Sequence, residues 1–378
     1  MSLFEDTFVE SGVNLPGTAT AMAVLGPDVV IGTYDDAAHP RAGLVRVVAG
    51  GTAIPIEVRA NSPYAFDGRW RSLAGADGAL VGLTGISGGA HGNVRWAIWR
   101  GNDRVVTEEP QTFETFAGID AGALSAVARD RDGPLVAGSW KSASTGLDAA
   151  VWRPRGTRWV RESSTGTPLA STPEALVQVS AAANTPGGSV LAGSVTALRG
   201  GPAITATIWT RDASGDWVAT RLPLSKTSVS VTAGGLTTGV EAISCRGARC
   251  LAAGRVNSRL RFWSLSVPAQ GPLKVSEFSS PSAVTLPPDR NVFSDAVPDD
   301  ARIAGLALGR AHAWAAIALP GDAGVVWRAT LPTTGNRRAR WWPYEAPHTP
   351  TALAAVADTV WLTTSEPGEP SVLWSTPG

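Results

Sequence analysis

Two short stretches concentrate the residue types that do chemistry. Tyr34, Asp35, Asp36 and His39 fall together in YDDAAH, and Tyr64, Asp67 and Arg69 fall together in YAFDGR. Two carboxyls placed across a sugar, one with a raised pKa, can hydrolyse a glycosidic bond. Asp120 and Asp148 add acids to the same search. His91, in GGAHGN, occupies a loop that matches the one carrying His39, so the two imidazoles could meet beside Asp35 or Asp36 as a metal pair. Exposed loop histidines are commoner than ligands, so we expect no metal and no cofactor. His312 begins an apolar strand and is expected to be a packed or turn histidine.

Such residues need a scaffold, and the chain builds one by repetition. The strand LSAVA (Leu124 to Ala128) is followed by the turn RDRDG, then by PLVAGSW, a polar loop, AAVWRP, a turn at Gly156 and RWVRE. Four short strands with turn signals between them describe an antiparallel sheet. Its recurrence at roughly 40 to 50 residues is the signature of a β-propeller. The expected fold is all-β: a seven-bladed β-propeller of four-stranded antiparallel blades in one domain, 1–378. Blades are expected near 12–60, 70–110, 123–163, 176–222, 239–278, 302–345 and 351–376. The last copy lacks a fourth strand, and residues 4–11 (FEDTFVES) are expected to supply it and close the ring.

Two columns carry the repeat. Trp99, Trp152, Trp209, Trp263, Trp327 and Trp374 recur in the third strand, with Arg46 aligned to them in the first copy. Gly32, Gly82, Gly138, Gly193 and Gly254 recur near the end of the second. The rings should fill gaps between blades, and the glycines should permit a bulge or a close backbone approach. No helical period persists; the one candidate, near Ala117 to Arg129, fits a loop and an inner strand better. EEPQTFETF (Glu108 to Phe116) could present a partner-binding edge or fold back over a blade, and we expect the second.

Lys plus Arg and Asp plus Glu balance at 32 each, which excludes a global electrostatic footprint for nucleic acid. Arg337, Arg338 and Arg340 read as a solvated hairpin tip, and Asp289, Asp295, Asp299 and Asp300 as a solvated acidic loop. No apolar stretch is long enough to cross a bilayer. The start, MSLFED, lacks the basic and apolar regions of a signal peptide. Cys245 and Cys250 flank RGAR in a hairpin, where they can reach disulfide distance. Such a short loop would stabilise by roughly 2 kcal/mol. Free buried thiols or a metal pair are the alternatives. A disulfide implies an oxidising compartment, so we expect a secreted or extracytoplasmic monomer whose leader is absent from this chain. The Ala-, Arg-, Thr- and Trp-rich composition with few lysines resembles that of high-GC bacteria.

The copies resemble bacterial propellers of the sialidase-like, or Asp-box, type. That pattern runs Ser or Thr, any, Asp, any, Gly, two residues, Trp, between third and fourth strands. Thr210, Asp212 and Trp217 keep three positions, with the glycine displaced to Gly215; Gly156 and Trp159 are a remnant in the preceding copy. The resemblance implies that the Asp caps its own turn. It also implies an arginine triad, a Tyr–acid pair and an Asp acid/base, yet no arginine triad can be assigned at matching positions. Ligand candidates at the channel mouth are Tyr34, Asp35, Asp36, His39, Tyr64, Asp67, Arg69 and His91. The expectation is a non-catalytic propeller that binds a protein or glycan of the cell envelope through its loop face. A glycoside hydrolase or lyase at the channel mouth is the alternative.

Overall fold

The computed structural model describes residues 4–5, 7–35, 41–88, 92–117, 122–142, 144, 146–200, 203–224, 238–256, 259–269, 271–278, 300–331 and 339–377. Nearly all regular structure there is strand; the exceptions are two one-turn helices, Pro63–Phe66 and Phe113–Phe116. The strands form five four-stranded sheets and one eight-stranded sheet that divides into two four-stranded halves. We number these units blades 1 to 7 from Thr18 onward. Turn chemistry sets the hairpins. In blade 2, Asp77 and Gly78 both have positive φ, 52° and 73°, the two-residue turn whose twist matches its flanking strands.

The innermost strands are Thr18–Leu25, Arg69–Ala76, Ala123–Asp130, Ala175–Thr185, Thr238–Arg246, Arg302–Leu308 and Thr349–Val356. Each touches the next, and the last touches the first, so they form a closed ring. Burial alternates along Thr18–Leu25, and one side of all seven innermost strands lines a central channel of about 900 Å³. Second strands such as Asp28–Asp35 are buried along almost their whole length. They lie between two neighbouring blades, which is why they read as unbroken apolar runs in the sequence.

Each innermost strand carries one β-bulge against its second strand. The bulged residues Thr20, Arg71, Ser125, Ser180, Glu241, Ala304 and Thr351 all face the channel. On the second strand, the residues just before the break in register are Thr33, Thr84, Gly138, Gly193, Gly254, Ile317 and Thr364. A Cβ at Gly138, Gly193 or Gly254 would run into backbone of the innermost strand, so close approach explains these three. Gly32 and Gly82 belong elsewhere. A Cβ on either would strike the ring of Trp70.

The tryptophans fill the gaps between blades as expected. Trp99, Trp152, Trp209, Trp263 and Trp327 are fully buried, each in a cluster shared with the preceding blade. Trp374 packs, half-buried, between blades 6 and 7. Counting from the bulge corrects one alignment. Thr84 pairs with Ala97, two residues before Trp99, whereas Thr33 pairs with Gly43, two residues before Val45. Val45, not Arg46, holds the tryptophan position of blade 1. Arg46 faces the opposite way and ion-pairs with Asp28 and with Asp103 of blade 2.

The ring closes as expected, through a very short strand. Val9–Glu10 pairs antiparallel with Ser375 and Trp374. Phe4 and Phe8 do more of the packing. They stack at 4.9 Å and meet Trp374 and Trp314 edge-on at 5.2 and 5.5 Å, buried between blades 6 and 7. Blades 1 and 2 depart from expectation. Their outermost strands, Ala53–Arg59 and Val105–Glu108, pair in parallel, with Glu57 opposite Val105, and fuse the two blades into one sheet. The Cys245–Cys250 disulfide is formed, across a directly opposed pair of the blade 5 inner hairpin.

Candidate functional site

Of the residues expected at the channel mouth, Asp36, His39 and His91 lie outside the described residues, as do Asp120, Arg337, Arg338, Asp289, Asp295 and Asp299. The structure does join the two chemical stretches. Tyr34, at the end of the second strand of blade 1, is buried, and the Arg69 guanidinium of blade 2 lies 4.3 Å from its ring centre. Tyr64 and Asp67 sit on and just after the helix Pro63–Phe66. Ser62 caps that helix by accepting the Ala65 N–H at 3.2 Å. Glu108 fixes its entry by accepting the N–H groups of Asn61 and Ser62 at 2.6 and 2.7 Å. Tyr64 is exposed, with the Arg95 guanidinium 3.8 Å from its ring centre. Both tyrosines therefore offer a ring face to a cation.

Asp148 is not a mouth acid. It is buried, accepting hydrogen bonds from the Ser164 hydroxyl at 2.5 Å and the Ser171 N–H at 2.8 Å, with Arg161 at 3.5 Å. It pins the connection between blades 3 and 4. The EEPQTFETF segment folds back over the sheet, as expected. Glu109 pairs with Arg100 and accepts the Trp159 indole N–H at 2.7 Å, while Phe116 is buried between blades 2 and 3. Asp212 closes its own turn, accepting the N–H groups of Ser214 and Asp216 at 2.9 and 3.0 Å. Hydrogen bonding from the Ser214 hydroxyl, then from backbone, holds its carboxyl below the usual range.

The concave site that sequence reasoning missed lies in blade 1. In blade 2 the bulge-column hydroxyl of Thr84 accepts the Trp99 indole N–H at 2.9 Å. In blade 7 Thr364 accepts the Trp374 indole N–H at the same distance. In blade 1 the corresponding residue is Thr33, but the tryptophan is replaced by Val45. Thr33 is 1% exposed, and among the described residues its hydroxyl has no hydrogen-bond partner. A buried orphan of this kind costs about 1–3 kcal/mol.

The missing ring leaves space, and the strand fusion opens it. The third strand of blade 1, Arg41–Val47, pairs with the outermost strand only from Leu44–Ile56 to Val47–Ala53. Beyond Ile56 the outermost strand swings away to blade 2. The result is a cavity of about 520 Å³ that includes Thr33 and Val45 and reaches Trp99 of blade 2. Its walls are mainly apolar, among them Leu44, Ile56 and Val58; Asn14, Asp35 and Arg41 add polar groups. A mainly apolar cleft with a few convergent polar groups is the form of a binding site. Among the described residues, Asp35 is the one expected site residue that lines it. The signal for the rest was the valine in the tryptophan column, hidden by a one-residue misalignment.

No protein-family model matches the chain, and no curated protein matches it. Solved structures do. A Trypanosoma rangeli sialidase in complex with the inhibitor DANA matches at 13% identity and a TM-score of 0.43, over 96% of this chain and 55% of that one. This chain thus spans little more than half the sialidase's length. A glucose dehydrogenase matches at 14% identity and TM-score 0.45, over 98% and 99%. The Dos1 propeller matches at 11% identity and TM-score 0.44, over 98% and 94%.

Proposed function

We propose that this protein is a non-catalytic, extracytoplasmic binding propeller that receives a flat aromatic side chain of a protein partner in the blade 1 cavity. The observation that carries this reading is the orphaned Thr33 hydroxyl facing the space of a missing tryptophan. Two other blades meet the same hydroxyl with an indole N–H. A partner's indole would restore that hydrogen bond and bury its ring against Val45, Ala53 and Pro55, which share Thr33's face of the sheet. We take the eight-stranded sheet as two blades, giving seven, and the chain as one domain. The disulfide supports an oxidising compartment, and no helix among the described residues is long and apolar enough to cross a membrane.

The test is calorimetric titration with N-acetyltryptophanamide, N-acetylphenylalaninamide and glucose. The tryptophan amide should bind best, the phenylalanine amide more weakly, and glucose not measurably. In Val45→Trp the protein's own ring should take the space, abolish binding and raise stability by about 0.5–2 kcal/mol. Undiminished binding of the tryptophan amide to Val45→Trp would rule this site out.

A further inference from the structure

A second repeated position singles out blade 6. The residue after the column tryptophan, or after Val45 in blade 1, is arginine in four blades: Arg46, Arg100, Arg153 and Arg328. Three are neutralised internally. Arg46 faces Asp28 at 3.7 Å as well as Asp103. Arg100 donates to Glu109 at 2.6 Å. Arg153 holds Asp130 at 2.6 Å and Glu162 at 2.9 Å. Among the described residues, no carboxylate lies within ion-pair distance of Arg328, and its Nε is buried without an acceptor.

Arg328 is flanked in cross-strand register by Trp314 and Trp342. Its guanidinium lies 5.6 and 5.9 Å from their ring centres. Its Nη2 is 3.3 Å from Nε2 of His312. A guanidinium only donates, so Nε2 accepts and the proton of a neutral ring sits on Nδ1. Burial, then the charge of Arg328, holds this imidazole below its usual range against the opposite pull of Asp358. His312 begins the second strand of blade 6 as Asp28 begins that of blade 1. Where blade 1 supplies an acid, blade 6 supplies a neutral ring.

The missing counter-charge faces a cavity of about 390 Å³ between blades 6 and 7. Arg310 and Asp358 also line it, 3.8 Å apart, and Arg246 stands 4.0 Å from the same Asp358 carboxylate. Cations therefore outnumber the acid. The cavity opens where the inner hairpins turn, at the opposite end of the strands from Asp35.

We propose that this cavity binds a small carboxylate, which takes the place of the internal counter-ion that Arg328 lacks. The two indoles hold the guanidinium plane, and a planar fork matches a planar carboxylate through two parallel hydrogen bonds. The volume suits a ligand of roughly monosaccharide size.

The experiment titrates the folded protein with glucuronate, glucose and inorganic phosphate, by calorimetry and by the His312 ring resonances. Glucuronate should bind and shift those resonances. Glucose should not bind, and phosphate should bind at least fivefold more weakly. Arg328→Lys keeps the charge without the fork and should lose at least tenfold in glucuronate affinity. His312→Asp restores the acid found in blade 1; it should lose as much affinity while its Tm stays at or above that of the wild type. Equal binding of glucose, phosphate as strong as glucuronate, or unchanged affinity in His312→Asp would each overturn the assignment.

Discussion

Charge at single residues is settled by neighbours that sequence spacing does not reveal. Arg153 and Asp130 form a nearly buried pair, their side chains 10% and 2% exposed. Burial alone would push the Asp130 carboxyl up, but Arg153, the Asp132 N–H and the Ser189 hydroxyl hold it below the usual carboxylate range. A depressed folded pKa means stability that is complete above the unfolded value, about 3.9, and is lost as pH falls through the folded one. Asp130→Asn should therefore cost about 3–5 kcal/mol at pH 7, since it leaves a buried guanidinium short of a partner. It should also flatten the acid limb of a stability–pH curve measured by urea unfolding. An unchanged acid limb would contradict this assignment. Nothing in the sequence distinguished Arg153 from Arg328, because the distinction lies in which acids the fold brings to each. Tyr34 and Arg69 were legible only as separate mouth candidates, their contact was not, and Asp148 was not legible as a clamp. Its partners, Ser164 and Ser171, are ordinary loop residues until the chain turns back on itself.

At the level of strands, what was legible is what repeats with local chemistry. Turn glycines, alternating inner strands and apolar second strands are read from a few neighbouring residues. The bulges are not. Nor is the register of the third strand, which puts Val45 rather than Arg46 level with the tryptophans. The glycines likewise occupy three register positions: Gly138, Gly193 and Gly254 at the bulge, where backbone crowds, and Gly32 and Gly82 one and two residues from it, both against Trp70. The bulged serines also staple neighbouring blades. Ser125 donates to the Val179 carbonyl at 2.9 Å, and Ser180 to that of Val240. Replacing either by alanine should lower stability by about 1 kcal/mol, and the double variant should depart from additivity because the Val179 carbonyl that Ser125 uses is bonded to the nitrogen of Ser180. Denaturant midpoints would check both. The parallel pairing of Glu57 with Val105 had no local signal either, since it joins edges that belong to different repeats.

For the whole molecule, the ring was legible because every copy buries its faces on the next. Closure depends on little hydrogen bonding and much packing: one two-residue strand, with Phe4 and Phe8 wedged between blades 6 and 7. Phe8→Ala should cost about 3–5 kcal/mol and should increase amide exchange most in blades 6 and 7. Loss of protection spread evenly around the ring would argue against a local latch. The latch also imposes an order in time. Val9 cannot find its partner Ser375 until the seventh blade has been made, so ring closure has the highest contact order of the strand pairings described. Until then a nascent chain carries a strand ahead of blade 1 whose partner edge in blade 7 is not yet made. Two such chains held close together can complete each other's last sheet, and crowding during synthesis thus selects between a closed ring and an exchanged pair.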